Sequence, residues 1–143
     1  MAVDASQLLT MSKAELDELF RSSPVGDIPE GDTNGTVIAN PGTFLAKLNA
    51  KAAHLIAWQG KVFNPATEDL KNKITPFRMK SIRARVYKEP SWVDGQECIV
   101  LDYSKTSKVA RFIRDEIREV SPGVYLGVVF WGKRRVLKFA LTA

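Results

Sequence analysis

The most constraining stretch of this 143-residue chain is residues 111–141, RFIRDEIREVSPGVYLGVVFWGKRRVLKFAL. It reads as three β-strands joined by two tight turns. In Ser121-Pro122-Gly123, proline presets one turn torsion and glycine accepts a positive φ; Gly132-Lys133 is a second, shorter turn. Between them, residues 124–131 are apolar on both faces apart from Gly127, as a strand covered on two sides should be. The strand before it, residues 112–120, is densely charged, with Arg114, Asp115, Glu116, Arg118 and Glu119. Alternation puts Arg114, Glu116 and Arg118 on one face and Asp115, Ile117 and Glu119 on the other. Either face is a candidate for the interior. If the first is, Glu116 becomes a low-pKa carboxylate between two arginines that can grip an anionic ligand head. If the second is, Asp115 becomes a buried acid beside Ile117. The bland alternative for each residue is a solvated cross-strand pair.

Upstream, short strands and turns recur about every ten residues, the pattern of a sandwich or barrel. Residues 36–39, 62–63, 70–75, 79–87 and 98–103 read as strands. In 79–87, Ile82, Ala84 and Val86 face in while Arg83 and Arg85 face out, and Asp94-Gly95 marks a hairpin turn. Two helices accompany the strands, one before and one after residues 36–39. Residues 13–20 form a short amphipathic helix with a Ser12/Glu15 capping box. Asn40-Pro41 opens a longer one over about 42–58, with Phe44, Leu45, Leu48, Ala52, Leu55 and Ile56 at helical spacing. That helix is expected to lie across the sheet or roof a barrel. Residues 1–11 read as a flexible leader, and 12–143 as one domain.

Charge is unevenly distributed. The first 58 residues hold four Lys/Arg against seven Asp/Glu, the rest seventeen against nine, for a net +5. The basic part fits nucleic acid, an anionic lipid surface or an acidic ligand, or simply the wet face of a sheet; the last is the preferred reading. No apolar run reaches the ~20 residues of a membrane-spanning helix. A single cysteine, Cys98, rules out an internal disulfide and points to the cytoplasm. One cysteine and one histidine make a zinc or non-haem iron site a poor expectation, and no cofactor motif is present.

Several pieces together resemble the poorly characterised bacterial GXWXG-type domain proteins, small lipocalin-like (calycin-like) β-barrels. They are Gly42-Thr43-Phe44, Trp58-Gln59-Gly60-Lys61-Val62-Phe63, Asp102-Tyr103-Ser104, and the block from Arg114 to Val120 followed by Tyr125-Leu126-Gly127. The likeness spans roughly residues 31–141, with Gly31-Asp32-Thr33-Asn34-Gly35 where the family's tryptophan would sit. It implies a mainly β fold, an antiparallel barrel of about seven or eight strands with a pocket. It also favours Asp115 and Arg118 as the positions that matter.

The expected function is binding of a small hydrophobic or amphipathic molecule in that pocket. Arg114, Arg118, Asp102, Tyr103, Trp58, His54, Tyr125 and Trp131 are the expected ligand contacts. The first alternative is a cofactor-free cyclase or isomerase with Asp115 or Glu116 as its acid or base and Tyr103 as hydrogen-bond donor. The second is peripheral binding to nucleic acid or anionic lipid through Lys133-Arg134-Arg135 and the strand around Arg83 and Arg85. Nucleic acid is the less expected partner, and the chain is expected to be a monomer or homodimer. His54 is the one side chain with an ordinary pKa near neutrality, but a lone helical histidine more often sits on the surface. Cys98 reads as a small core residue.

Overall fold

A computed structural model describes residues 3–38, 57–75, 82–108 and 110–143, without the side chains of residues 57, 58, 74 and 75. Among the described residues two helices, α1 (Ala5–Thr10) and α2 (Lys13–Ser22), precede nine strands. The first two strands are β1 (Gly31–Asp32) and β2 (Asn34–Ile38), followed by β3 (Ala57–Asn64) and β4 (Asp69–Thr75). Then come β5 (Arg83–Pro90), β6 (Glu97–Asp102), β7 (Ile113–Ser121), β8 (Val124–Trp131) and β9 (Arg134–Thr142). All pair antiparallel in one sheet, in the order β1-β3-β4-β5-β6-β7-β8-β9-β2. The sheet curls until residues 31–38 bridge its two ends, Gly31 and Asp32 pairing with β3 and residues 34–38 with β9. The result is a nearly closed barrel.

That bridging segment accounts for nine strands where seven or eight are expected. It is split at Thr33, which leaves the ladder to bond across the seam. Its amide and hydroxyl donate to the Lys61 carbonyl at 2.9 and 2.7 Å, and its hydroxyl oxygen accepts from the Lys61 amide at 3.3 Å. The opposing strand bulges at Gly60, whose φ of +138° suits glycine alone. A Cβ built there would lie 2.2 Å from the Thr33 carbonyl oxygen. Closure therefore requires a residue without a side chain at position 60.

The two faces of the sheet make two cores. Inside the barrel, Phe63, Leu70, Ala84, Val86, Ile99, Leu101, Ile117, Tyr125, Phe139 and Leu141 pack together. Outside, Leu8, Leu16 and Phe20 of the helices cover Leu126, Val128, Phe130 and Ala140. Burying each of those helix side chains contributes roughly 1.5–3 kcal/mol. Residues 5–10 form a capped helix, with Asp4 accepting from the Gln7 amide and Gln7 reaching back to the Asp4 amide. Leu8 is wholly buried. The expected helix over 42–58 lies outside the described residues except at its end, where residues 57 and 58 belong to β3. No described helix is long and apolar enough to cross a membrane.

Replacing Gly60 by alanine should lower stability by about 2 kcal/mol or more, through a forbidden φ plus a clash with backbone. Gly95→Ala, at φ +75° with open space around it, should lose only the conformational part. Urea midpoints of the two variants would separate these effects, and equal losses would contradict the seam.

Candidate functional site

The face of β7 that looks inward is the one carrying Ile113, Asp115 and Ile117. Three other strands send polar groups to meet Asp115. On β3, alternation turns Val62 to solvent and Lys61 and Phe63 inward, and on β4 it turns Leu70 and Asn72 inward. Tyr103 follows β6 with its ring inside. The Lys61 ammonium donates to Asn72 Oδ1 at 2.7 Å and to Tyr103 Oη at 2.6 Å, and lies 3.3 Å from Asp115 Oδ2. It also sits 5.3 and 5.5 Å from the ring centres of Tyr103 and Phe139. Asn72 Nδ2 donates to Tyr103 Oη at 3.0 Å and to the Ile82 carbonyl at 2.8 Å. The Tyr103 hydroxyl, with both its acceptor positions in use, points its proton at Asp115 Oδ2 across 3.4 Å.

One atom is left over. Asp115 Oδ1 is buried and has no hydrogen-bond partner among the described residues. Native interiors rarely leave such a group, and each instance asks for an explanation. Burial pushes the Asp115 carboxyl above its ordinary range, and the opposing pull of Lys61 and Tyr103 does not cancel it. Burial works against the Lys61 charge as well, but the Tyr103 oxygen and the Asp115 carboxylate outweigh it, so the ammonium is held above its usual value. Burial also raises the Tyr103 phenol. The pair is unequal: among the described residues Lys61 has at least three acceptors within 3.3 Å, whereas Asp115 has one cation and one bare oxygen.

The other charges of β7 are a correction to the expected pocket. Arg114, Glu116 and Arg118 point away from the barrel interior, yet all three are buried, because the β5–β6 turn and α2 fold over them. Arg118 grips Asp94 through both terminal nitrogens at 2.7 and 2.8 Å. It donates to the carbonyls of Phe20, Gln96 and Glu97 as well, with its guanidinium 4.5 Å from the Phe20 ring centre. Five donors meet five acceptors, so none remains for a ligand. Arg114 pairs with Glu116 at 3.0 Å and Glu89 at 2.9 Å beneath the Trp92 ring. Glu116 accepts from the Ser91 hydroxyl and the Trp92 amide. These residues clamp the β5–β6 turn and α2 to the barrel wall.

The remaining expected contacts are scattered. Asp102 is on the outer face, accepting from Tyr87 Oη and from Ser104. Tyr125 is inside the barrel, but its hydroxyl donates to the Asp27 carbonyl at 2.6 Å. Trp131 stands at the rim, 55% exposed. His54 and the Trp58 side chain lie outside the described residues. Cys98 is buried, with its thiol pushed up to about 12 by that burial, which leaves it protonated and inert. Lys61 and Asn72 are not among the contacts expected from the sequence. Their signal was alternation: Lys61 shares a phase with Phe63, and Asn72 with Leu70.

At the end of the barrel marked by the β3–β4 turn, a cleft of about 360 Å³ opens between Ile28, Pro29, Phe63, Pro65, Val86 and Tyr87, rimmed by Glu30 and Glu68. Its inner wall includes Phe63, the neighbour of Lys61 on the same face of β3. The volume falls in the range of small-molecule sites.

No protein-family model matches the chain, and no curated protein matches it. Among solved structures, the fold is similar to the crystal structure of a protein from Thermomonospora curvata, at 21% identity over 98% of each chain and a TM-score of 0.65. At that identity the likeness shows a common barrel fold and nothing finer.

Removing one partner of the interior pair should be costly. Lys61→Met leaves an uncompensated carboxyl and is expected to lose about 3–5 kcal/mol by urea unfolding, most of it recovered when Asp115→Leu is added. The pH dependence has a definite sign. Since the folded carboxyl is raised, its contribution to stability is full below the unfolded value near 4 and is lost as pH rises through the folded value. The stability of the wild type relative to Asp115→Asn should therefore fall with rising pH over that window; a rise would mean that the carboxyl is held low.

Proposed function

We propose that this chain is a lipocalin-like barrel of the GXWXG-domain type that binds a small amphipathic molecule inside, with Asp115 as the polar anchor. The observation that carries the proposal is the buried, unpartnered Asp115 Oδ1 amid the apolar side chains of the interior. A buried acceptor without a donor selects a ligand that brings one: a hydroxyl, an amine or an amide N–H. Lys61 and Tyr103 hold the other carboxylate oxygen, so the bare one keeps a fixed direction. The 360 Å³ cleft, with Phe63 in its wall, gives such a molecule an apolar approach. A cytoplasmic location belongs to the same reading, on the strength of a lone cysteine that forms no disulfide.

A second reading uses the same atoms for turnover. A carboxyl raised by burial, beside a phenol that hydrogen-bonds to it, is what cofactor-free proton transfer during a cyclisation or isomerisation requires. In that case Asp115 would exchange the proton and Tyr103 would steady the developing charge.

Native mass spectrometry of the protein purified from its own host is the direct test. A bound molecule carrying a hydrogen-bond donor is expected, and it should bind Asp115→Asn at least tenfold more weakly, the loss typical of a hydrogen bond to a charged group. A protein that carries no small molecule, or a ligand indifferent to the substitution, would overturn the proposal. Chemical change in the released ligand after incubation would favour the enzyme.

A further inference from the structure

The end of the barrel formed by the β6–β7 loop and the β8–β9 turn has a composition unlike the rest of the surface. The Gly132 amide donates to the Phe112 carbonyl at 2.8 Å, so the two connections are tied side by side. Residues 103–112 and 131–143 contain no Asp or Glu. Within them Lys105, Lys108, Arg111, Lys133, Arg134 and Arg135 are all exposed. Arg135 and Lys138 share Asp17 of α2, at 3.8 and 3.0 Å. The described residues give no ion pair to Lys105, Lys108, Lys133 or Arg134. Against these cations stand two large aromatics that a soluble surface would ordinarily cover: Phe112 and Trp131 are 53% and 55% exposed and lie 6.4 Å apart. Trp92, 48% exposed, borders a groove of about 290 Å³ with Phe130 and Lys133 on the adjoining flank.

We infer that this end docks onto an anionic lipid bilayer, with Trp131 and Phe112 entering the headgroup region and Lys133, Arg134 and Arg111 holding lipid phosphates. Cations without carboxylate partners complement a negative surface, and tryptophan beside lysine and arginine is the residue set of a membrane interface. Single-stranded nucleic acid is the competing partner for basic and aromatic surfaces, but it needs open ring faces on which bases can stack. Here the Arg111 guanidinium lies 4.7 Å from the Phe112 ring centre and Trp131 crowds the same ring. These rings are arranged to be inserted rather than stacked upon. The docking surface does not depend on the interior site, and either can fail without the other.

Co-sedimentation of the full chain with phosphatidylcholine vesicles, with and without phosphatidylserine, tests the inference. Binding is expected only with phosphatidylserine, weakening steeply as salt rises. Lys133→Glu/Arg134→Glu should reduce it by roughly 25-fold or more, taking each cation near the surface as worth about fivefold. Trp131→Ser should weaken it at unchanged charge, while Lys71→Glu/Lys88→Glu, an equal charge change on exposed wall positions, should leave it nearly intact. Unchanged thermal midpoints in all three variants keep this a comparison of surfaces. The inference is overturned by failure to sediment with phosphatidylserine, by equal binding to phosphatidylcholine alone, by equal loss in the wall variant, or by tighter capture of a single-stranded oligonucleotide at the same ionic strength.

Discussion

The barrel is organised around an ion pair buried in its interior. Lys61 and Asp115 come from β3 and β7, strands that are far apart in the sheet order and meet only because the sheet curls. Removing two charges from water costs several kcal/mol per ion, and attraction offsets that only with good geometry and further hydrogen bonds. Lys61 meets those terms through Asn72, Tyr103 and two aromatic faces. Asp115 meets them on one oxygen. The network thus links β3, β4, β7 and the residue that follows β6 across the interior and still leaves a directed acceptor. An unsatisfied group of this kind lowers stability, which is why we read it as reserved for a partner that the chain does not itself supply.

The seam explains why Lys61 points where it does. At Gly60 the strand bulges, the backbone comes within van der Waals reach of Thr33, and Thr33 holds the Lys61 amide and carbonyl. Shape and chemistry are coupled at this point: the glycine that lets the barrel close also orients the ammonium that neutralises its interior. Gly127 makes a comparable allowance on β8. Its missing Cβ leaves room for the Phe139 ring, which in turn faces Lys61.

The outward charges of β7 show a different use of ionic groups. Arg118 and Arg114 are buried like Asp115, but every donor of Arg118 is occupied and Arg114 is neutralised by two carboxylates. Their arrangement fastens a hairpin turn and a helix over a sheet face that would otherwise be wet. Burial of charge is thus no guide to function by itself; incomplete satisfaction is the better one. By the same measure the charge-rich, aromatic-rich rim differs from the wall, since Lys105, Lys108, Lys133 and Arg134 have no carboxylate partner among the described residues and Phe112 and Trp131 are left in solvent.

Local residue order determined the strands, their turns and much of their facing. The alternation of Ile82, Ala84 and Val86 against Arg83 and Arg85 holds, Pro122-Gly123 and Gly132 turn the chain, and Ser12 caps α2 through Glu15. The Asp4/Gln7 cap of α1 was equally present and is the same kind of signal, spread over fewer residues. Tertiary structure alone decided which face of residues 113–121 became the interior, because alternation separates two faces without saying what covers either. It also decided that both would be buried, since α2, which ends at Ser22, folds back onto the outer side of β7, which begins only at Ile113. Lys61, Asn72, Tyr103 and Asp115 are strangers along the chain and neighbours only once β3 reaches β9 through residues 31–38. Their convergence is a property of closure, which no local pattern encodes.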